Sequence, residues 1–242
     1  MTQDIDTRAQ RIAGHIQTQL AAAADPTKAG PMQAYMKTDM PFYGVQAAAR
    51  RQIVKAVAAD NPLDPKRDHG VVRRSVELLW AMPHREEKYA AITLARSWRG
   101  AFIAPHMMDL YEKLIREGAW WDFVDELAIH LVGPCLLRDR EHIAPLIEKW
   151  LTDDDMWIRR SALLAHNRHK KDTDGQTLLR HCLTLAHEPH FFIRKAIGWA
   201  LREYSYTAPQ TVADFVRQHH DALSKLSRKE ATRRLIKAGL WP

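Results

Sequence analysis

Three stretches decide the fold: residues 120–131 read WWDFVDELAIHL, residues 155–166 read DMWIRRSALLAH, and residues 190–201 read HFFIRKAIGWAL. Each begins 35 residues after the one before it. Apolar columns coincide across all three, as Phe123/Ile158/Ile193 and Leu127/Ala162/Ile197. A period of this size is the signature of stacked helical repeats, and equivalent positions of stacked repeats project from one shared face. One such column holds Asp125, Arg160 and Lys195, which places an acid and two cations in a row. Trp121 stands one helical turn before Asp125, and Trp199 one turn after Lys195.

Outward from these stretches helical periodicity continues. Ile12, Ile16 and Leu20 mark an amphipathic first helix. Helix-length apolar runs alternate with short breaks such as AMPHREE, LTDDD, KKDTDG and AHEPH, whose Pro, Gly and Asp suit turns and caps. Within one repeat the first helix ends near Leu151, and Asp153, Asp154 and Asp155 supply the cap of the next. An earlier copy runs SVELLWAMPHREEKYAAITLAR, in looser register. Runs of alternating β-branched residues are missing. The expected fold is all-α: a right-handed helical solenoid of about five or six HEAT-like repeats with a concave basic face. It is expected as a single domain over 1–242, with N-terminal helices in 1–60, the clearest repeats at 75–205 and a C-terminal cap at 206–242. Residues 60–70, NPLDPKRDHG with its preceding Asp, form the longest expected connection.

With 46% hydrophobic and 27% charged residues over 242 positions, the chain has the composition of an ordinary globular protein. Its net charge of +7 suits an anionic partner. Cys135 and Cys182 are unclustered in apolar helical contexts, which predicts buried thiols rather than a disulfide. The N-terminus lacks the apolar core of a signal peptide, and no stretch is long and apolar enough to span a bilayer, so a cytoplasmic protein, nucleoid-associated when on DNA, is expected. The phosphate-binding GxxxxGK[ST] and GxGxxG patterns, HExxH, the GxSxG elbow and paired-Cys/His zinc spacings are all absent from the sequence. No cofactor and no metal are therefore expected, and no groove-reading motif points to sequence-specific DNA recognition.

On a helix Trp121 and Asp125 share a face, whereas Trp120, Val124 and Leu127 are expected in the core. Lys195, Trp199 and Arg202 share another face, opposite Ile193, Ile197 and Leu201. Arg160, one column from Asp125, is its natural ion-pair partner. Two indoles and a carboxylate can stabilise a developing cation, and adjacent bases can hold an anionic backbone. Arg168 and Arg202 belong to a series of basic residues recurring at comparable repeat positions, a stripe that suits a duplex backbone.

The strings WWDFVD, MWIRRSALLAHNRHKKD and FFIRKAIGWALREY, with PMQAYMKTDMPFYGVQAAARR near the N-terminus, resemble the AlkD-type DNA alkylation-repair family. The resemblance implies HEAT-like repeats and a monofunctional glycosylase, metal- and cofactor-free, that excises cationic N3- or N7-alkylated purines from double-stranded DNA. It implies that Asp125, Trp121 and Trp199 are cleft residues of catalysis and that Arg160 meets the DNA backbone. Lys195, Arg168, Arg202, Gln46 and Tyr35 complete the expected DNA-binding set. A monomer is expected. The stretch Gln46-Ala47-Ala48-Ala49 departs from the family, which often carries proline where Ala48 stands. Two other readings predict different behaviour: a non-catalytic binder of distorted DNA, and a scaffold for an acidic protein with little salt-sensitive DNA affinity.

Overall fold

The structure, a computed structural model, describes residues 2–64, 67–97 and 105–241. Pro65 and Lys66 of the expected long connection lie outside the described residues, as do residues 98–104 within the expected repeat span. Among the described residues all regular structure is helical. The chain forms two compact units, Met1–Phe102 and Ile103–Pro242.

The first unit contains α1 (Thr2–Ala22), α2 (Pro26–Met36), α3 (Ala47–Asp60), α4 (His69–Ala81) and α5 (Arg85–Ser97). Ile12, Ile16 and Leu20 of α1 are all at most 2% exposed, as their spacing predicts, and α1 packs on α3 and α4. Asp25 caps α2 by accepting from the Thr27 amide at 3.1 Å, and Pro26 occupies the first turn, where no amide hydrogen is needed. The loop that follows α2 is set by Gly44, at φ 88. A Cβ there would lie 2.0 Å from the Asp25 carbonyl oxygen, so both its conformation and its space exclude any other residue.

The second unit contains α6 (Met108–Gly118), α7 (Trp121–Leu127), α8 (Gly133–Arg138), α9 (Arg140–Trp150), α10 (Met156–Leu164), α11 (Gly175–Thr184), α12 (Phe191–Tyr204), α13 (Pro209–Gln218) and α14 (Lys225–Lys237). The helices that carry the 35-residue columns are successive neighbours: α7 packs on α10, α10 on α12, and α12 on α14. Both apolar columns are core, with Phe123, Ile158, Ile193, Leu127, Ala162 and Ile197 all at 0% exposure. Each large member contributes roughly 1.5–3 kcal/mol by leaving water. Asp155 caps α10 through the Trp157 amide at 2.8 Å and Asp174 caps α11 through the Thr177 amide at 3.1 Å, each worth about 1 kcal/mol. Cys135 and Cys182 are free thiols in the core.

Periodicity does not announce the join of α7 and α8. A π-helical turn, Ala128–Val132, links them without a break. Pro134 supplies the cause: it has no amide hydrogen, and in a regular α-helix its ring would strike the carbonyl four residues back, at His130. The wider turn relieves both problems. Trp120 also departs from expectation. It precedes α7 in extended backbone (φ −150), so a helical face does not apply to it; it is half-buried rather than core, tilted against Trp157 at 6.0 Å and edge-on to Phe192 at 5.7 Å.

Candidate functional site

The site grows from α7 and α10. Arg160 donates from Nε to Asp125 Oδ1 at 2.7 Å and from Nη2 to Oδ2 at 2.9 Å. Its Nη1 donates to the Phe192 carbonyl at 2.5 Å, and its guanidinium lies over the Phe192 ring at 5.8 Å. The side chains are 3% and 14% exposed, so this is a buried, two-pronged ion pair between adjacent repeats. The resemblance implies that Arg160 meets the DNA backbone, and its column places it beside Asp125; in this structure its guanidinium is bonded to Asp125 and to the Phe192 carbonyl. Burial pushes the Asp125 carboxyl above the ordinary aspartate range, the Arg160 hydrogen bonds and charge pull it back, and Asp122 and Glu126 add to the rise, which prevails.

Asp125 opens on a cleft of about 340 Å³ shared with Glu126, Ile129, His130, Asn167, Arg168, Trp199 and Glu203. The structure thus brings together three residues singled out from the sequence, Asp125, Arg168 and Trp199. Trp121 lies one turn before Asp125 on α7 and is half-buried. Two local irregularities shape the wall. The π turn presents Ile129 and His130, and Arg168 holds a left-handed backbone (φ 71) that brings its guanidinium to 3.4 Å from His130 Nε2. A non-glycine residue at such a φ costs about 1–3 kcal/mol, which the surrounding packing must impose. Asn167, 3% exposed, has neither its Oδ1 nor its Nδ2 hydrogen-bonded within the protein. The sequence reading missed Asn167 and His130; their one signal is position, in the segments just beyond the aligned columns.

Lys195 and Arg202 meet on α14. Glu230 accepts from Lys195 Nζ at 2.6 Å and from Arg202 Nη1 at 2.6 Å. Burial raises the Glu230 carboxyl, but the Lys195 bond and the charges of Lys195, Arg202 and Arg233 outweigh it, and the net shift is downward. Glu230 was missed from sequence although it stands 35 residues after Lys195, the fourth member of the Asp125/Arg160/Lys195 column. Lys195 and Arg202 keep 38% and 23% side-chain exposure, enough to present charge outward.

Tyr35 and Gln46 belong to the first unit. Tyr35 is 74% exposed near the end of α2, and Gln46 is exposed at the start of α3, where its side chain makes no capping bond. The segment before Gln46 is fixed by Glu86, a fully buried carboxylate that accepts from the amides of Tyr43, Gly44 and Val45 at 3.0, 2.8 and 3.0 Å. Among the described residues no group of three or more His, Cys, Asp or Glu side chains could hold a metal ion, and no helix is long and apolar enough to cross a membrane.

A carboxylate held at the edge of a cleft, an indole beside it and cations around it form an arrangement able to stabilise positive charge next to a polyanion. The chain is similar to a solved structure described as a predicted DNA alkylation repair enzyme from Enterococcus faecalis, with 27% identity, 88% of this chain and 97% of that chain covered, and a TM-score of 0.79. The crystal structure of AlkD2 from Streptococcus mutans shares the fold, at 16% identity, 84% and 97% coverage and a TM-score of 0.59. Both are helical-repeat proteins of the AlkD type; the periodicity predicts the helical repeats and the resemblance implies the type. No curated protein matches the chain. The family model described as DNA alkylation repair enzyme matches residues 16–235, and the chain belongs to that family.

Proposed function

We propose that this protein is a monofunctional DNA glycosylase that hydrolyses the N-glycosidic bond of cationic N3- or N7-alkylated purines in duplex DNA. The observation that carries this reading is Asp125, a carboxylate gripped by Arg160 at the edge of a cleft that also contains Trp199. The membership in a family described as DNA alkylation repair enzymes supports it.

The chemistry suits so sparse a site. An alkylated purine of this class already carries positive charge. When the C1′–N bond breaks, its electron pair neutralises the base, which leaves without needing a general acid. Positive charge builds instead on the deoxyribose. The Asp125 carboxylate stabilises that charge and orients the water whose oxygen bonds to C1′, the surplus proton passing by way of Asp125 to solvent. Trp121 and Trp199 offer their ring faces to the cationic sugar. Arg160 keeps the carboxylate ionised and aimed. Lys195, Arg168 and Arg202, with Tyr35 and Gln46 of the first unit, contact the DNA backbone. The product is a free base and an abasic site, and the reaction uses neither metal nor cofactor. The protein acts as a monomer in the cytoplasm, on the nucleoid.

Release of 7-methylguanine from methylated duplex DNA, by wild type and by Asp125→Asn, tests this. Release by wild type that collapses in the variant is expected. Salt-sensitive duplex binding without release would replace the enzyme with a non-catalytic DNA binder. Neither binding nor release would leave a protein-interaction scaffold.

A further inference from the structure

α12 and α14 lie side by side in the second unit, and at Gly198 they approach too closely to admit a side chain. A Cβ there would meet Glu230 Cβ at 2.5 Å and the Ser227 carbonyl at 2.7 Å. Along the solvent side of α14, Lys225, Lys229, Arg233 and Lys237 follow one another at four-residue spacing, and all four are exposed. Like charges so spaced repel one another along a helix. Glu230 is the one carboxylate of α14, and it is occupied by Lys195 and Arg202. Arg233 and Lys237 take no carboxylate partner at ion-pair distance among the described residues.

The cations converge at the C-terminal end of the seam. Arg202, Tyr206, Arg233, Arg234 and Lys237 surround a hollow of about 300 Å³. Arg234 is fixed there by its bond to the Ser205 carbonyl at 2.9 Å and by the Tyr206 ring, 4.5 Å from its guanidinium carbon. Tyr206 is itself 64% exposed. Three guanidinium groups and an ammonium around one hollow, with the Glu230 carboxylate beside Arg202 already bonded twice, form an anion site. Guanidinium forks match the paired oxygens of a phosphodiester, and an exposed ring beside them can pack on a sugar or a base.

We propose that this hollow is a phosphodiester-binding site that holds the DNA backbone beside the cleft. The proposal rests on the glycosylase reading above and adds to it a defined anchor. Arg202 lies one turn beyond Trp199 on α12, so a phosphate seated in the hollow belongs to a nucleotide flanking the lesion rather than to the lesion itself.

The double variant Arg233→Gln/Lys237→Gln tests it, because neither residue contacts the cleft and both are exposed. Affinity for an undamaged duplex is measured across a salt series, and 7-methylguanine release is measured at saturating DNA. The expected result is a logarithmic salt dependence shallower by roughly 1.8, corresponding to two lost phosphate contacts, with weaker binding at low salt. Melting and the saturated release rate are expected to stay at wild-type values. An unchanged salt slope and affinity would overturn the site while leaving the glycosylase intact. If wild type neither binds duplex nor releases base, the glycosylase reading fails by itself, and calorimetry with inorganic pyrophosphate decides the hollow. Binding heat lost in the double variant would retain a site for free phosphate compounds, and equal heat would remove the anion site altogether.

Discussion

Arg160 grips Asp125 through both carboxylate oxygens across one step of the 35-residue repeat, and Lys195 grips Glu230 across another step of the same length. The column, in which the sequence suggests only the Asp125–Arg160 pair, therefore carries two ion pairs, each joining neighbouring helices. One pair is buried beside the cleft and the other is half-exposed at the α12–α14 seam. The same register serves two purposes: the first pair fixes a carboxylate, while the second pins two cations that still reach solvent.

The buried pair makes a prediction about stability separable from activity. Removing one partner leaves the other charged and unpaired in a desolvated place, whereas removing both does not. Arg160→Met is expected to lower stability by about 3 kcal/mol in urea unfolding. Asp125→Leu/Arg160→Met is expected to regain most of that loss while releasing no 7-methylguanine. Losses that simply add in the double variant would mean that the two side chains do not act as a pair.

The raised Asp125 carboxyl gives a pH dependence with a definite sign. The folded state holds a proton there at pH values where the unfolded chain has already lost it. Across that window the native state binds more protons, so acidification stabilises wild type relative to Asp125→Asn. Activity moves the opposite way, because a protonated carboxyl cannot stabilise a cation. The acid limb of kcat/KM, corrected for uncatalysed base loss, is expected above the ordinary aspartate range, and the melting difference between wild type and Asp125→Asn is expected to shift in favour of wild type over the same span. A limb within the ordinary range would show that Asp125 is not the group being titrated.

What the sequence made legible follows from where periodicity applies. The columns Phe123/Ile158/Ile193 and Leu127/Ala162/Ile197 are all core because a repeat has to bury one stripe against its neighbour, and that requirement is written in spacing. The pairing of Asp125 with Arg160 was legible for the same reason. Trp120 was misplaced because helical faces say nothing about a residue that precedes the helix, and the π turn was hidden because Pro134 reads as a helix break rather than a widened turn. Glu230 sits in register, but the stretch around it, KEATRRLIKAGL, has lost the aromatic and apolar residues that made the earlier copies align. How deeply Arg160 is buried depends on the Phe192 carbonyl and ring from the next repeat, a contact no spacing rule contains.

The loop before Gln46 offers a test in the first unit. Its three amides, at Tyr43, Gly44 and Val45, all converge on Glu86, which has no exposure to water. Gly44 cannot be replaced there, so the loop has one conformation to adopt and Glu86 is what satisfies it. Glu86→Ala leaves three donors without their acceptor, of which the buried Gly44 and Val45 amides cost roughly 1–3 kcal/mol each, a total large enough to loosen the unit. Glu86→Gln retains one accepting oxygen but turns an NH₂ toward an N–H, so an intermediate loss is expected. Urea unfolding of both variants, with hydrogen exchange at residues 43–45, separates the possibilities. If Glu86→Ala unfolds at the wild-type urea concentration with those amides still protected, the loop is held by the Asp25 amide bond to the Tyr43 carbonyl and by packing of Phe42 and Val45 instead.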